Sequence, residues 1–100
     1  MALTIREIEE AKKRIEPYIV ETPLLRLSGL DPFLHCRVFV KLECMQRTGS
    51  FKLRGAMNRI LSLSEEERAG GIVAASSGNH GKAVAYACKL LGLLMIHHRS

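Results

Sequence analysis

Two apolar stripes at helical spacing, separated by one short β-rich run, constrain this chain more than any other feature. Leu53, Ala56, Met57 and Ile60 recur at i, i+3, i+4 and i+7, and Val84, Ala87, Cys88 and Leu91 repeat the interval. This is the periodicity of a helix that buries one face. Between the stripes, Ile72-Val73-Ala74-Ala75 reads as a short, wholly buried strand. Ahead of the first, Val38-Phe39-Val40-Lys41-Leu42 is β-rich and mostly apolar and reads as a second buried strand. After the second stripe, Leu93-Leu94-Met95-Ile96 offers a further strand, ended by His97-His98-Arg99-Ser100. Strands that alternate with helices imply βαβ units around a parallel sheet, an α/β fold.

The punctuation agrees with this reading. Thr4 and Glu7 have capping-box spacing, and Ile5, Ile8, Ala11 and Ile15 then fall near one helical face. That first helix should end around Glu16, just before Pro17. Thr22-Pro23 opens an extended stretch, Leu24 to Leu27, and Ser28-Gly29 and Asp31-Pro32 mark turns. Thr48-Gly49-Ser50 is a turn in which Ser50 is a good N-cap. Ser64 and Glu67 repeat the capping-box spacing, Gly70-Gly71 breaks that short helical turn, and Gly92 ends the last helix. There is no internal repeat and no low-complexity linker.

Composition excludes several classes of function. The chain has 100 residues, enough for one domain or a piece of one. With 47% apolar and 25% charged residues, its composition is that of a folded chain, not a disordered one. The net charge is +5, split +1 and +4 between the two halves, a mildly basic solvated surface. No basic run exceeds Lys12-Lys13-Arg14 and aromatics are few, so no nucleic-acid partner is expected. Cys36, Cys44 and Cys88 are odd in number and lack a C-x-x-C pair, which argues against a disulfide framework and against zinc. A reducing, cytoplasmic setting fits them. No signal peptide and no run of membrane-spanning length is evident, so no membrane partner is expected.

Two short segments carry the candidate chemistry. Lys52 sits at the first turn of the helix that bears the first stripe. The helix dipole disfavours a cation there, which helps lower the amine pKa as a Schiff-base lysine needs; the alternative is a solvated surface lysine. Ser76-Ser77-Gly78-Asn79 joins a strand to a helix N-terminus, where several backbone N–H groups lack helical partners. Such a turn seats a carboxylate or phosphate; the alternative is an ordinary capping turn. Gly78 permits a positive φ or a close ligand approach. His80 is either an acid–base group or polar surface. Cys88 lies on the apolar stripe and is assigned to the core, and Met45 and Met57 to packing. His97 and His98 are adjacent and share neither a helix face nor a strand face, so no metal site is expected there.

Taken together, Lys41-Leu42-Glu43, the run from Gln46 through Thr48-Gly49-Ser50-Phe51-Lys52-Leu53-Arg54-Gly55-Ala56, and Ala75-Ser76-Ser77-Gly78-Asn79-His80-Gly81 resemble the fold-type II pyridoxal-phosphate enzymes. Within them the likeness is to the threonine/serine dehydratase (ammonia-lyase) and serine racemase branch. It runs from about Ile5 to Gly92. The resemblance implies that Lys52 holds pyridoxal 5'-phosphate through its ε-amine and then serves as a base on one face of the substrate. It implies that Phe51 lies near the pyridine ring and that Asn79 hydrogen-bonds the phenolic oxygen. Ser76, Ser77, Asn79 and His80 would form the loop around the carboxylate of a small amino-acid substrate. Ser77 occupies the place where serine racemases carry a second base opposite the lysine, and many threonine dehydratases have alanine there. The implied reaction is dehydration and deamination of L-threonine or L-serine to a 2-oxo acid and ammonia, with serine racemisation as the alternative.

The same resemblance implies that residues 1–92 are the N-terminal segment of the pyridoxal-phosphate-dependent domain and that 93–100 form a divergent tail. The glycine-rich loop that cups the cofactor phosphate in the family has no counterpart among these residues. The short chain is therefore expected to be catalytically inactive alone, and either to self-associate or to pair with a larger relative as a non-catalytic fragment.

Overall fold

Thr4 opens the first helix, α1 (Ile5–Ile15), by a reciprocal cap: its hydroxyl accepts from the Glu7 amide, and the Glu7 carboxylate accepts from the Thr4 amide. The computed structural model describes residues 2–76 and 78–97. Pro17 ends α1 by drawing Glu16–Tyr18 into a 3-10 turn. Only Ile15 of the α1 stripe is buried, whereas Ile5 and Ile8 face solvent.

Strand β1 (Leu24–Arg26) pairs antiparallel with β2 (Phe39–Lys41), with Leu25 opposite Val40. The expected turns between them are helical: Ser28–Leu30 forms a 3-10 turn that runs into the four-residue α2 (Asp31–Leu34). Pro32 suits that first turn, where its missing N–H has no helical partner to lose. Asp31 gathers the segment, accepting from the Arg26 guanidinium and, at 2.9 Å, from the Val38 amide. The expectation of a buried strand over 38–42 is corrected here. Phe39 is 52% exposed, because among the described residues nothing layers over that face of the two-stranded sheet, and its ring instead meets the Arg26 guanidinium at 5.3 Å.

The second half follows the alternating pattern. Helix α3 (Lys52–Leu61) and the short α4 (Glu65–Ala69) precede β3 (Ile72–Ala74), helix α5 (Asn79–Leu91) and β4 (Met95–His97). β3 and β4 pair in parallel with α5 as their crossover, the βαβ unit of an α/β fold. Ser64 caps α4 with the anticipated box, and Gly92 closes α5 in the left-handed conformation at φ 69°.

The core lies in the seam between the two striped helices. Leu53, Ala56, Met57 and Ile60 of α3 meet Ala83, Val84, Ala87 and Cys88 of α5, with Ala74 of β3 beneath and Ile15 at the α1 side. Strand β3 itself is not wholly buried: Val73 is 66% exposed, since only one face of β3–β4 carries a helix. Met45 is not packing either, at 56% exposed in the 3-10 turn Glu43–Met45. The radius of gyration is 16.3 Å, against roughly 13 Å for a globule of this length. The chain spreads its elements instead of closing them around one centre.

Two predictions follow from the packing. A Cβ on Gly81 would stand 3.0 Å from the Ser76 carbonyl carbon and closer still to its oxygen, so the backbone must move. Gly81→Ala should lower stability by about 1–3 kcal/mol. Gly55, in α3, has open space where a Cβ would go, and Gly55→Ala should raise stability by about 0.5–1 kcal/mol through helix propensity. Urea titrations of the three chains check both signs. Burial also pushes the Cys88 thiol up, while Cys36 and Cys44 are exposed. Iodoacetamide should therefore alkylate Cys36 and Cys44 in the folded chain and reach Cys88 only after denaturation, as read by peptide mass spectrometry.

Candidate active site

Because Leu53 must face the core, Lys52, one position earlier on the helix, is turned to the open side of α3. The cap differs from expectation: Phe51 is the N-cap, and the Ser50 hydroxyl only approaches the Lys52 amide, at 3.4 Å. The Lys52 ammonium lies 5.2 Å from the centroid of the Phe51 ring, within cation–π range. No acidic residue occupies the first turn of α3 to draw that ammonium away.

Phe51 and Lys52 open onto a cavity of about 590 Å³. Its walls are one flank of α3, including Gly55, Ala56, Arg59 and Ile60, then Leu63, Glu67 of α4 and Gly71, the strand residues Ile72 and Val73, and His80 and Val84 of α5. The structure thus brings Lys52, Phe51 and His80 together at one cavity. Ser76 lies in the turn after β3 and Asn79 is the first residue of α5, and neither lines that cavity. Ser77 falls outside the described residues, as does His98.

A polar network, whose roles sequence reasoning did not assign, sets where α3 begins. The Glu43 carboxylate accepts from two nitrogens of the Arg54 guanidinium, one of them at 3.2 Å. It also accepts from the Thr22 hydroxyl at 2.5 Å. Lys41 Nζ donates to the Thr22 carbonyl at 2.8 Å. Beside it the buried Gln46 clasps Val20, accepting from its amide at 2.8 Å and donating to its carbonyl at 3.0 Å. Arg54 is two residues from Lys52, so the network ties the helix end that carries the amine to both the 20–22 segment and the loop after β2. Hydrogen bonds to a charged group of this kind are worth about 1.5–3 kcal/mol each.

The turn between β3 and α5 leads into His80, the first α5 residue to line the cavity. The Ser76 hydroxyl accepts from the Gly78 amide at 3.3 Å. Gly78 has φ −99°, so of its two expected uses the positive φ does not apply, while a Cβ there would meet nothing within 4 Å; a close backbone contact is made instead at Gly81, which packs against the Ser76 carbonyl. The signal for Gly81 was present in the motif, but only the tertiary contact distinguishes it from Gly78.

The Arg54 guanidinium holds the Glu43 carboxyl below the usual glutamate range, with smaller contributions from Thr22 and Gln46. The unfolded chain therefore binds more protons than the folded one as pH drops. The stabilisation is present above the ordinary value of 4.5 and is lost as pH falls through the lower folded value. At neutral pH, Glu43→Gln should cost about 1–3 kcal/mol, and its stability should decline less steeply than that of the parent below pH 4.5. Asp31 and Glu67 are also lowered, by Arg26 and Ser64, so the difference between the two urea–pH series isolates Glu43.

A sequence model described as "Pyridoxal-phosphate dependent enzyme" matches residues 15–97. The chain is 50% identical over 88 residues to a serine racemase of Dictyostelium discoideum, covering 88% of this chain and 27% of that protein. It is 49% identical over 92 residues to a catabolic L-threonine dehydratase of Staphylococcus aureus, covering 91% of this chain and 27% of that one. Among solved structures, maize serine racemase superposes with a TM-score of 0.86 at 42% identity, over 97% of this chain and 30% of that one. The chain spans about a quarter of the length of the curated relatives it matches. A lysine opening a helix beside a cavity, a parallel βαβ unit and a match over residues 15–97 lead to one conclusion: the chain belongs to the fold-type II pyridoxal-phosphate-dependent enzyme family, whose cofactor is pyridoxal 5'-phosphate.

Proposed function

We propose that this chain supplies the lysine-bearing part of a pyridoxal-phosphate site that acts at Cα of a small hydroxy-amino acid, L-serine or L-threonine. The observation that carries the reading is the shared cavity of Lys52, Phe51 and His80. The residues fit the cofactor. A primary amine with an aromatic ring beside it opens onto a space of about 590 Å³, which falls within the range of roughly 300–1,000 Å³ usual for small-ligand pockets. Apolar walls at Ala56, Ile60, Ile72 and Val84 suit a planar heteroaromatic group.

Bound pyridoxal phosphate supplies an electron sink that makes the Cα proton of an attached amino acid acidic. Lys52 is the group that attaches the cofactor and then takes that proton. The Phe51 ring keeps one side of the amine apolar. Asn79 and the turn at 76–80 are the groups we assign to the phenolic oxygen and to the substrate carboxylate, the latter through amides at the start of α5. Removal of the proton and loss of the β-hydroxyl as water, followed by hydrolysis of the released enamine, would yield a 2-oxo acid and ammonia; return of a proton to the opposite face would yield the D-amino acid. The serine at position 77 and the likeness to the Dictyostelium and maize serine racemases favour the second outcome. The likeness to the Staphylococcus dehydratase keeps the first in view.

Borohydride trapping with pyridoxal phosphate tests the site in the 100-residue chain. Lys52 should be labelled in preference to Lys12, Lys13, Lys41, Lys82 and Lys89, and Lys52→Ala should abolish the visible absorption that added pyridoxal phosphate gains on binding the chain, read before reduction. Equal labelling of all six lysines would overturn the assignment. With L-serine, chiral chromatography reads D-serine and a coupled assay reads pyruvate. The chain alone should form neither at a measurable rate, because residues that would hold the phosphate in place are not among those we assign.

A further inference from the structure

The Ser76 carbonyl is the point where three parts of the second half meet. Gly81 brings the first turn of α5 against it. The hydroxyl of the same residue holds the Gly78 amide. From the next strand, the imidazole Nε2 of His97 lies 2.5 Å from the carbonyl oxygen. His97 is the last residue of β4 and pairs with Ala74 of β3, two residues before Ser76. The parallel register thus carries its side chain to the turn beyond the end of β3. The sequence alone placed His97 in a tail with no role.

We propose that His97 is a positioning residue for the β3–α5 turn. A carbonyl offers only acceptor sites, so the imidazole nitrogen facing it must carry the proton, and Nε2–H donates to Ser76. That bond and the Gly81 contact both act on the carbonyl of the Ser76 peptide. The peptide in turn fixes the start of α5, from which His80 reaches the cavity shared with Lys52. A turn held in one shape presents its amides without first paying the entropy of ordering them.

The test uses the full chain and three side chains at position 97. In the parent, nitrogen-15 NMR at neutral pH should find His97 protonated at Nε2. Detection of the Nδ1–H tautomer overturns the proposal. His97→Leu should speed amide hydrogen exchange at Gly78 and Lys82, whose N–H groups donate to the Ser76 hydroxyl and the Gly78 carbonyl, by about two- to tenfold, the loss of one such hydrogen bond. His97→Gln, whose amide can still donate, should return those rates toward the parent. Unchanged exchange in the leucine chain, or equal acceleration in both, would count against the idea. If the leucine chain does not fold, the tautomer and the glutamine chain still decide. A further consequence rests on the pyridoxal-phosphate reading above: borohydride labelling of Lys52 should fall in His97→Leu and recover in His97→Gln. Failure of the exchange and tautomer results refutes the positioning role; failure of labelling in the parent itself refutes the cofactor reading and leaves the positioning role standing.

Discussion

The seam between α3 and α5 is the constraint on which the rest depends. It is built largely from small side chains, with Ala56, Ala83, Ala87 and Cys88 interleaved among Leu53, Met57, Ile60 and Val84. Small residues let two helix backbones approach closely, and interior packing tolerates few voids. Leu53, Met57 and Cys88 are fully enclosed by it. The two helices carry the candidate site at their beginnings: Lys52 is the first residue of α3 and His80 the second of α5. Changing the depth or angle of the seam would move both groups and reshape the cavity between them.

Apolar packing alone does not say where along its axis α3 should start, because a stripe can slide by one turn at modest cost. The carboxylate of Glu43 supplies the missing specification. Its two oxygens take donors from Arg54 and Thr22, so a shift of α3 by one residue would leave a partly buried charge without its partners. Such a loss is penalised more heavily than the intact pair is rewarded. Gln46 does the same for the neighbouring loop, with both amide atoms satisfied by Val20. Non-directional burial holds the helices together, and directional hydrogen bonds set the position of the amine.

What was legible in the sequence was what local periodicity and local capping encode. The stripes on α3 and α5, the boxes at Thr4–Glu7 and Ser64–Glu67, and the left-handed Gly92 each depend on residues within one or two turns of one another. The motif at Thr48 to Ala56 and the one at Ala75 to Gly81 sufficed to name the family. Exposure was less legible. Val73 and Phe39 have strand character, but whether a strand face is covered depends on elements elsewhere in the chain, and here the outer faces have none. Thr22 and Glu43 are 21 positions apart, and no local rule pairs them. That Gly81 packs against backbone required knowing that the Ser76 carbonyl turns back toward the helix. His97 escaped for the same reason, since its partner lies 21 residues earlier across a parallel crossover.

Parallel strands are ordinarily covered on both faces, yet Val73 and Ile96 of the β3–β4 pair stand exposed, as does Leu94 just before β4. A fully exposed apolar side chain forgoes about 1.5–3 kcal/mol of burial, and these three forgo a part of that. The described residues therefore hold their site with a small core. The consequence is a division of labour within the fold. The sheet lends the cavity Ile72 and Val73, but among the described residues one of its faces has no neighbour to press against. The geometry at Lys52 depends on the Glu43–Arg54–Thr22 ties, and the geometry at His80 on the Gly81 and His97 contacts with Ser76. These contacts act over one hydrogen-bond length and need no distant layer to be effective. A site specified in this way keeps its local shape even where the surrounding apolar surface is uncovered.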